Sequence, residues 1–156
     1  FEGAAKRLEP FYTNATTQNA VYRDFAHAPS KLKASLNALR EKYPTHKIVA
    51  MFELHTYSSL QENFLPHYKD CLKSGDVKVL FLDKEALKIK NRPDIEDAKL
   101  LSAFNDESLI ILRSKEQLIE LLEQQQAQNN VYAFMSSGNF GGLDIKQWID
   151  TKFVKK

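Results

Sequence analysis

Three short polar segments carry the side chains of this chain that could bind a phosphate, a sugar or a carboxylate. They span residues 24–29, 53–59 and 136–142, and each directly follows an apolar run that is typical of a β-strand. In open α/β sheets, ligands bind outside the carboxyl ends of the strands. We therefore expect a single site to which several strand ends contribute.

The first segment combines an aspartate with a histidine, directly before a predicted helix. Asp24 could accept two hydrogen bonds from a ribose, and His27 could contact a phosphate or a sugar hydroxyl beside the helix N-terminus. An Asp and a His three residues apart are common, however. The residues alone slightly favour a simpler interpretation, in which Asp24 caps the turn and His27 is an exposed loop residue.

The second segment offers imidazole and hydroxyl groups. His55 and Thr56 are candidate ligand-binding residues, whereas Ser58 or Ser59 could simply cap a helix, with Glu62 completing a capping box. The capping interpretation is strong for the serines and weaker for His55.

The third segment is the most specific, because it contains three of the five glycines of the chain. Backbone N–H groups in such a loop can approach a carboxylate or a phosphate closely, with the positive end of a helix dipole behind them. A tight turn between strand and helix is the alternative. The loop matches neither the P-loop nor the dinucleotide-binding fingerprint.

Alternating strands and helices must position these segments. Apolar runs predict strands over residues 20–22, 47–52, 77–82, 108–112 and 131–135, and helices from Pro29, over 60–72, after Asp83, over 114–124 and around 145–153. Pro66 could interrupt the second helix, Ser114 and Gln117 form a capping-box pattern, and residues 90–97 are expected to form a loop. The fold class is therefore α/β, a Rossmann-like, mainly parallel sheet of about six strands with helices on both faces.

Composition limits the classes of function. The 156 residues, 43% hydrophobic and 27% charged, are typical of one globular domain, and 22 basic against 20 acidic residues require neither nucleic acid nor a membrane as partner. No apolar run approaches the roughly 20 residues of a membrane span. No set of Cys and His residues has metal-ligand spacing. The lone Cys71 predicts a buried or half-buried structural thiol in a reducing cytoplasm.

Four motifs together resemble the C-terminal domain of the Mur ligases, which are ATP-dependent amide-forming enzymes of peptidoglycan assembly. The motifs are FEGAAKRLE at residues 1–9, DFAHAP at 24–29, FELHTYSS at 52–59 and MSSGNFGG at 135–142. The match runs from Phe1 to about Lys152. Within the family, the motifs are most similar to the branch that acts on UDP-N-acetylmuramate, namely the alanine-adding ligase and the murein peptide ligase.

The resemblance implies an activity and a division of the site. The family cleaves ATP to form an acyl-phosphate, which the amine of an incoming amino acid or peptide attacks. By resemblance, Arg7, Asp24 and His27 contact ATP, while His55 and Thr56 bind the acceptor substrate. The further acceptor-binding residues implied are Ser137, Gly138, Asn139, Phe140, Gly141 and Gly142.

Three positions depart from the family pattern. Arg23 and Ala28 stand where many relatives carry an acidic residue and a second histidine, and Ser59 replaces a common arginine. These changes leave Asp24 and His27 intact and bear on the identity of the incoming substrate.

The resemblance also implies partners within a longer polypeptide. In the family, the P-loop, the Mg²⁺ ligands and the UDP-sugar pocket belong to a central ATPase domain and an N-terminal domain. Since the chain starts at Phe1 without a methionine, we expect residues 1–156 to form one domain of a three-domain cytoplasmic enzyme, without catalytic residues sufficient for activity alone. The alternatives are a stand-alone Rossmann-like module for small-molecule binding or signalling, and a small hydrolase.

Overall fold

A six-stranded sheet forms the centre of the molecule. The structure is a computed structural model that describes residues 8–25, 28–54, 63–89, 91, 95–125, 128–136 and 138–154. The strands are β1 (Leu8–Asn14), β2 (Asn19–Asp24), β3 (Lys47–Glu53), β4 (Val77–Phe81), β5 (Ile110–Leu112) and β6 (Asn130–Met135). Their order is β1-β2-β6-β3-β4-β5, in which β1 pairs antiparallel with β2 and the other four pairs are parallel. The predicted α/β fold class is confirmed.

Helices follow β2, β4, β5 and β6 along the chain. They are α1 (Pro29–Lys42), α2 (Lys84–Ile89), α3 (Asp97–Phe104), α4 (Lys115–Glu123) and α5 (Ile145–Ile149), with 3₁₀ turns at Leu65–Tyr68 and Phe140–Gly142 and a π-helical turn at Asp150–Val154. Proline is tolerated in the first helical turn because its missing N–H has no intrahelical partner there, so α1 can begin at Pro29.

The core lies on both faces of the sheet, as the continuous apolar runs predicted. Along β3, Ile48, Ala50 and Phe52 pack into one cluster, which contains the buried leucines of α1 and α3. Val49 and Met51 point to the other face, where α4 and α5 pack. A strand covered on both sides has no polar alternation, because successive side chains point to opposite faces and both faces are buried.

Two helical segments differ from the sequence prediction. Of the helix expected over residues 60–72, the described part forms only the 3₁₀ turn Leu65–Tyr68 followed by further turns. Pro66 lacks a backbone donor, and Asp70 has a positive φ of 62°, which no helical residue adopts. The helix α3 was not predicted: it has eight residues, too few to display a clear helical period.

The strand register aligns the carboxyl ends of the central strands. Met135 lies opposite Asp24 on one side and opposite Phe52 on the other, and Glu53 lies opposite Phe81. The segments that follow β2, β3, β4 and β6 therefore start at the same edge of the sheet, here called the carboxyl edge.

Candidate functional site

The carboxyl edge brings the first and third polar segments together. The backbone N–H of Ser136 donates to the carbonyl oxygen of Asp24 at 2.8 Å. The loop of residues 136–142, here called the glycine loop, therefore starts beside the Asp24 turn. The middle strand β3 contributes Glu53, which reaches into the same loop.

Asp24 is buried, with 1% of its surface exposed. The hydroxyl of Ser35, on the helix α1, donates to its Oδ2. The next residue, Phe25, is 51% exposed. The α1 hydroxyl thus fixes one oxygen of the carboxylate, at the edge where the resemblance implies a nucleotide contact.

Glu53 is a site residue that the sequence reasoning missed. Its side chain is 4% exposed, and Oε1 accepts hydrogen bonds from the Ser136 hydroxyl at 2.6 Å and from the Phe140 N–H at 3.0 Å. A buried carboxylate must be compensated by donors, and the glycine loop supplies two of them. The available signal was an acidic residue at the end of an otherwise apolar strand.

Arg23 is the second missed residue. It is 7% exposed, and its Nη2 donates to the carbonyl oxygen of Gly138. Its guanidinium carbon lies 4.7 Å from the centre of the Phe25 ring and 6.0 Å from that of Phe140. Burial lowers the pKa of Arg23, and the nearby charge of Glu53 opposes that shift.

The glycine loop is held by hydrogen bonds inside the domain. The N–H of Gly138 donates to the Ser136 hydroxyl at 2.7 Å, and the N–H of Gly142 donates to the Asn139 carbonyl oxygen at 3.1 Å. With the N–H of Phe140 bound to Glu53 and that of Ser136 bound to Asp24, four amides of the loop have acceptors within the protein. These amides shape the loop, so an anion would meet its other groups first.

One glycine of the loop is required by its conformation and by its neighbours. Gly141 has a φ of 69°, and a Cβ placed there would lie 3.3 Å from Phe81 Cζ and 3.5 Å from Asp83 Oδ2. The carboxylate of Asp83 also accepts from the N–H of Glu85 at 3.2 Å, in the first turn of α2. Asp83, which follows β4, therefore adds an acidic group to the carboxyl edge.

Two cavities border the glycine loop. A groove of about 430 Å³ runs from Gly142 between α4 and α5, over Ile119 and Trp148, to Lys152. A smaller cavity of about 240 Å³ is lined by Arg23, Gly138 and Lys146, among others. The groove has the volume of a small-molecule site.

Several predicted site residues lie outside the described residues, namely Arg7, His27, His55, Thr56 and Ser137. Within the described ranges, no three His, Cys, Asp or Glu side chains form a set that could hold a metal ion. In the same ranges, no helix combines the length and apolarity needed to cross a membrane. Cys71 is buried, and burial raises the pKa of its thiol to about 11, so it is a poor nucleophile at neutral pH.

Comparison with known proteins shows which enzymes the chain resembles. No protein-family model matches the chain. A UDP-N-acetylmuramate–L-alanine ligase from Hydrogenobaculum is 29% identical over 141 residues, which are 90% of this chain and 30% of that protein. A crystallised domain of a putative UDP-N-acetylmuramate:L-alanyl-γ-D-glutamyl-meso-diaminopimelate ligase from Haemophilus ducreyi is 25% identical with a TM-score of 0.61, covering 93% of this chain and 98% of that one. The chain is thus similar, over about nine-tenths of its length, to the C-terminal part of Mur ligases.

The fold is shared with a larger enzyme of solved structure. The murein peptide ligase from Psychrobacter arcticus is 18% identical, with a TM-score of 0.69 over 96% of this chain and 30% of that one. The chain spans about 30% of the length of the curated relatives that it matches. The resemblance to the family and the fold expected from the four motifs are both confirmed.

Proposed function

We propose that this domain contacts the nucleotide and binds the acceptor in an ATP-dependent ligase that joins an amino acid or peptide to UDP-N-acetylmuramate, in peptidoglycan synthesis or recycling. One observation carries the proposal. Asp24, Glu53 and the glycine loop meet at one carboxyl edge, in a chain whose relatives are named as ligases of UDP-N-acetylmuramate. Such an edge is where α/β sheets bind ligands.

The nucleotide side of the proposed site is the Asp24 turn. The carboxylate of Asp24 is fixed by Ser35, and the next residue, Phe25, is exposed. A fixed carboxylate suits a ribose, whose two hydroxyls both donate. Arg7 and His27 are proposed to face the phosphates, on the resemblance of their motifs alone. Mg²⁺ and most of the ATP would be bound by a central domain of the same polypeptide.

The acceptor side of the proposed site is the glycine loop, with Gly138, Asn139, Phe140, Gly141 and Gly142, together with Ser137, His55 and Thr56. Since the amides of four loop residues donate within the domain, the loop would act mainly through its fixed shape. The remaining polar groups of this set would then bind the carboxylate of the acceptor. Asp83, beside Gly141, could bind an amino group of the acceptor.

The proposal also covers the whole protein. Residues 1–156 would be one of three domains of a cytoplasmic enzyme and would not form an amide bond alone, because the acyl-phosphate is made on the other domains. This domain would act as a lid. By closing on the ATP domain, it would exclude water and align the amine. The stand-alone module and the small hydrolase are not favoured, because the relatives are ligases about three times as long.

Two substitutions in the complete enzyme test the nucleotide side. We expect Asp24→Asn to reduce kcat/KM for ATP by about 5- to 150-fold, which corresponds to the roughly 1–3 kcal/mol of an unmatched polar partner. Ser35→Ala keeps the Asp24 carboxylate but removes the hydroxyl that donates to it. Compared with Asp24→Asn, it should have a smaller effect on kcat/KM for ATP and a similar loss of stability. Unchanged ATP kinetics in Asp24→Asn would remove Asp24 from the site.

A further inference from the structure

Arg23 contacts both parts of the proposed site. It precedes Asp24 in β2, and its guanidinium stacks on Phe25, the residue that follows Asp24. The same group donates to the carbonyl oxygen of Gly138 and lies over the ring of Phe140, which are both in the glycine loop. One buried side chain therefore joins the nucleotide side to the acceptor side.

The surroundings of Arg23 do not suit the capture of an anionic substrate. Glu53 and Asp24 both interact electrostatically with the guanidinium, so its charge is compensated within the protein. Phe25 and Phe140 cover it, and only 7% of the residue is exposed. A guanidinium that is stacked, hydrogen-bonded and charge-compensated holds its neighbours in place.

Glu53 holds the same loop through hydrogen bonds of the opposite kind, because it accepts where Arg23 donates. Arg23 supplies a donor to the Gly138 carbonyl, while Glu53 supplies an acceptor for the Phe140 N–H and the Ser136 hydroxyl. The loop is thus fixed at three positions by two side chains of opposite charge, which come from β2 and β3, the strands on either side of β6.

We propose that Arg23 is a positioning residue that ties the Asp24 turn to the glycine loop and so couples nucleotide binding to acceptor binding. A displacement of the turn by ATP then displaces the loop through the guanidinium, and the coupling acts equally in the reverse direction. This inference rests on the proposed function for its consequence in catalysis. The mechanical link itself is a property of the isolated domain.

The first experiment measures that link in the 156-residue chain. A similar domain of matching span was crystallised by itself, so the chain can be studied alone by ¹H–¹⁵N NMR. We expect Arg23→Ala to shift the amide signals of Gly138 and Gly141. We also expect Phe25→Leu to shift the same signals when Arg23 is present and not in the Arg23→Ala background. Loop signals that do not respond to Arg23→Ala would overturn the proposal.

A matched control separates the link from a general loss of stability. Arg40 makes a comparable set of hydrogen bonds at the opposite edge of the sheet, to the carbonyl oxygens of His46 and Ser74 and to the carboxylate of Asp76. Arg40→Ala should lower the melting temperature without moving the glycine-loop signals. If Arg23→Ala does not fold, Arg23→Lys keeps the cation but loses the planar stack, and should still shift the loop signals in a folded spectrum.

The second experiment measures the consequence in the complete enzyme. With UDP-N-acetylmuramate as donor and either L-alanine or L-alanyl-γ-D-glutamyl-meso-diaminopimelate as acceptor, Arg23→Lys should raise the acceptor KM about 10-fold, since small misplacements of positioning groups have large effects. Arg40→Ala should leave that KM unchanged. Shifted loop signals with an unchanged acceptor KM would overturn the positioning role. A wild-type enzyme without ligase activity would overturn the proposed function, while the NMR result would still decide the link.

Discussion

Glu53 shows how a single buried carboxylate can organise a loop. Its two hydrogen-bond donors, the Ser136 hydroxyl and the Phe140 N–H, belong to residues more than 80 positions further along the chain. The nearby Arg23 supplies the opposite charge. A charge taken out of water is tolerated only with such compensation, so the three groups must be present together.

Removal of the Glu53 carboxylate should therefore destabilise the domain. We expect Glu53→Ala to lower the free energy of unfolding by about 3 kcal/mol, because two buried donors lose their acceptor and Arg23 loses a compensating charge. Glu53→Gln keeps one acceptor oxygen, so its free energy of unfolding should fall by less. Chemical denaturation measures the loss of stability in both variants. Glu85→Ala serves as the control, because Glu85 is exposed and its ion pair with Lys88 is long, at 3.9 Å. Equal losses in Glu53→Ala and Glu85→Ala would contradict this role.

A buried ion pair between Lys78 and Asp106 makes stability depend on pH. Burial alone would raise the pKa of Asp106, but hydrogen bonds from Lys78, at 2.7 Å, and from Ser108 outweigh burial and hold the pKa below its usual value. A carboxyl whose pKa is lower in the folded state contributes stability above its unfolded pKa of about 3.9, and that stability is lost as the pH falls through the folded value.

Asp106→Asn should accordingly reduce the acid sensitivity of the domain. We expect the variant to be less stable than the wild type at pH 7, and the difference to shrink as the pH is lowered below about 4. Urea unfolding at several pH values measures this difference. Lys73→Met, which removes an exposed lysine paired with Asp70 at 3.7 Å, should follow the wild-type pH dependence. A constant difference between Asp106→Asn and the wild type from pH 7 to 2 would refute the assignment.

The residue types of the site were visible in the sequence to different degrees. The glycine loop was conspicuous because residues 136–142 concentrate the glycines, and Asp24 because it follows an apolar strand. Glu53 and Arg23 were given no role, because their function depends on the strand order β2-β6-β3. Sequence spacing carries no information about which strand lies beside which.

At the scale of elements, strands were more predictable than helices. The parallel strands are buried and form continuous apolar runs, so all five predicted strands agree with the structure within two residues at each end. The strand expected over residues 108–112 is shorter, at Ile110–Leu112, since it lies at the edge of the sheet. The helix α3 escaped prediction because tertiary packing of Leu100 and Phe104 stabilises it.

The predicted cap of α4 is present in a modified form. The hydroxyl of Ser114 accepts from the N–H of Gln117 at 3.2 Å, as a capping box requires. The amide oxygen of Gln117 accepts from the N–H of Arg113 at 2.7 Å, one residue before the expected position. Both hydrogen bonds fix the start of the helix that follows β5.

Loss of this cap should weaken α4 and the loop beside it. We expect Ser114→Ala to lower the free energy of unfolding by about 1 kcal/mol, because a helical N–H loses its acceptor, and Ser114→Asp to retain most of it. Urea denaturation provides the measurement, with Ser102→Ala on the exposed side of α3 as control. A loss in Ser114→Asp as large as in Ser114→Ala would indicate that the hydroxyl acts through packing instead.

At the scale of the whole molecule, the sheet gathers its polar groups at one edge and leaves the opposite edge to structural contacts. Asp24, Glu53, Asp83 and the glycine loop follow the carboxyl ends of their strands. Arg40 and Asp76 instead join the amino ends of β3 and β4, at an N–O distance of 2.6 Å. In the proposed function, this separation would allow the carboxyl edge to move against another domain without loss of the core.

A domain that supplies one side of a nucleotide site should bind the nucleotide weakly when it is alone. Small-molecule sites cover most of the ligand surface, whereas the Asp24 turn offers a ribose contact and one exposed ring. We expect the 156-residue chain to bind Mg²⁺·ATP with a Kd of about 1 mM or weaker, and the complete enzyme to bind it at least about 10-fold more tightly. Isothermal titration calorimetry measures both, with Asp24→Asn to identify any binding at the proposed edge. Micromolar binding by the wild-type chain, abolished in Asp24→Asn, would mean that the carboxyl edge is a complete nucleotide site and that closure by a second domain is unnecessary.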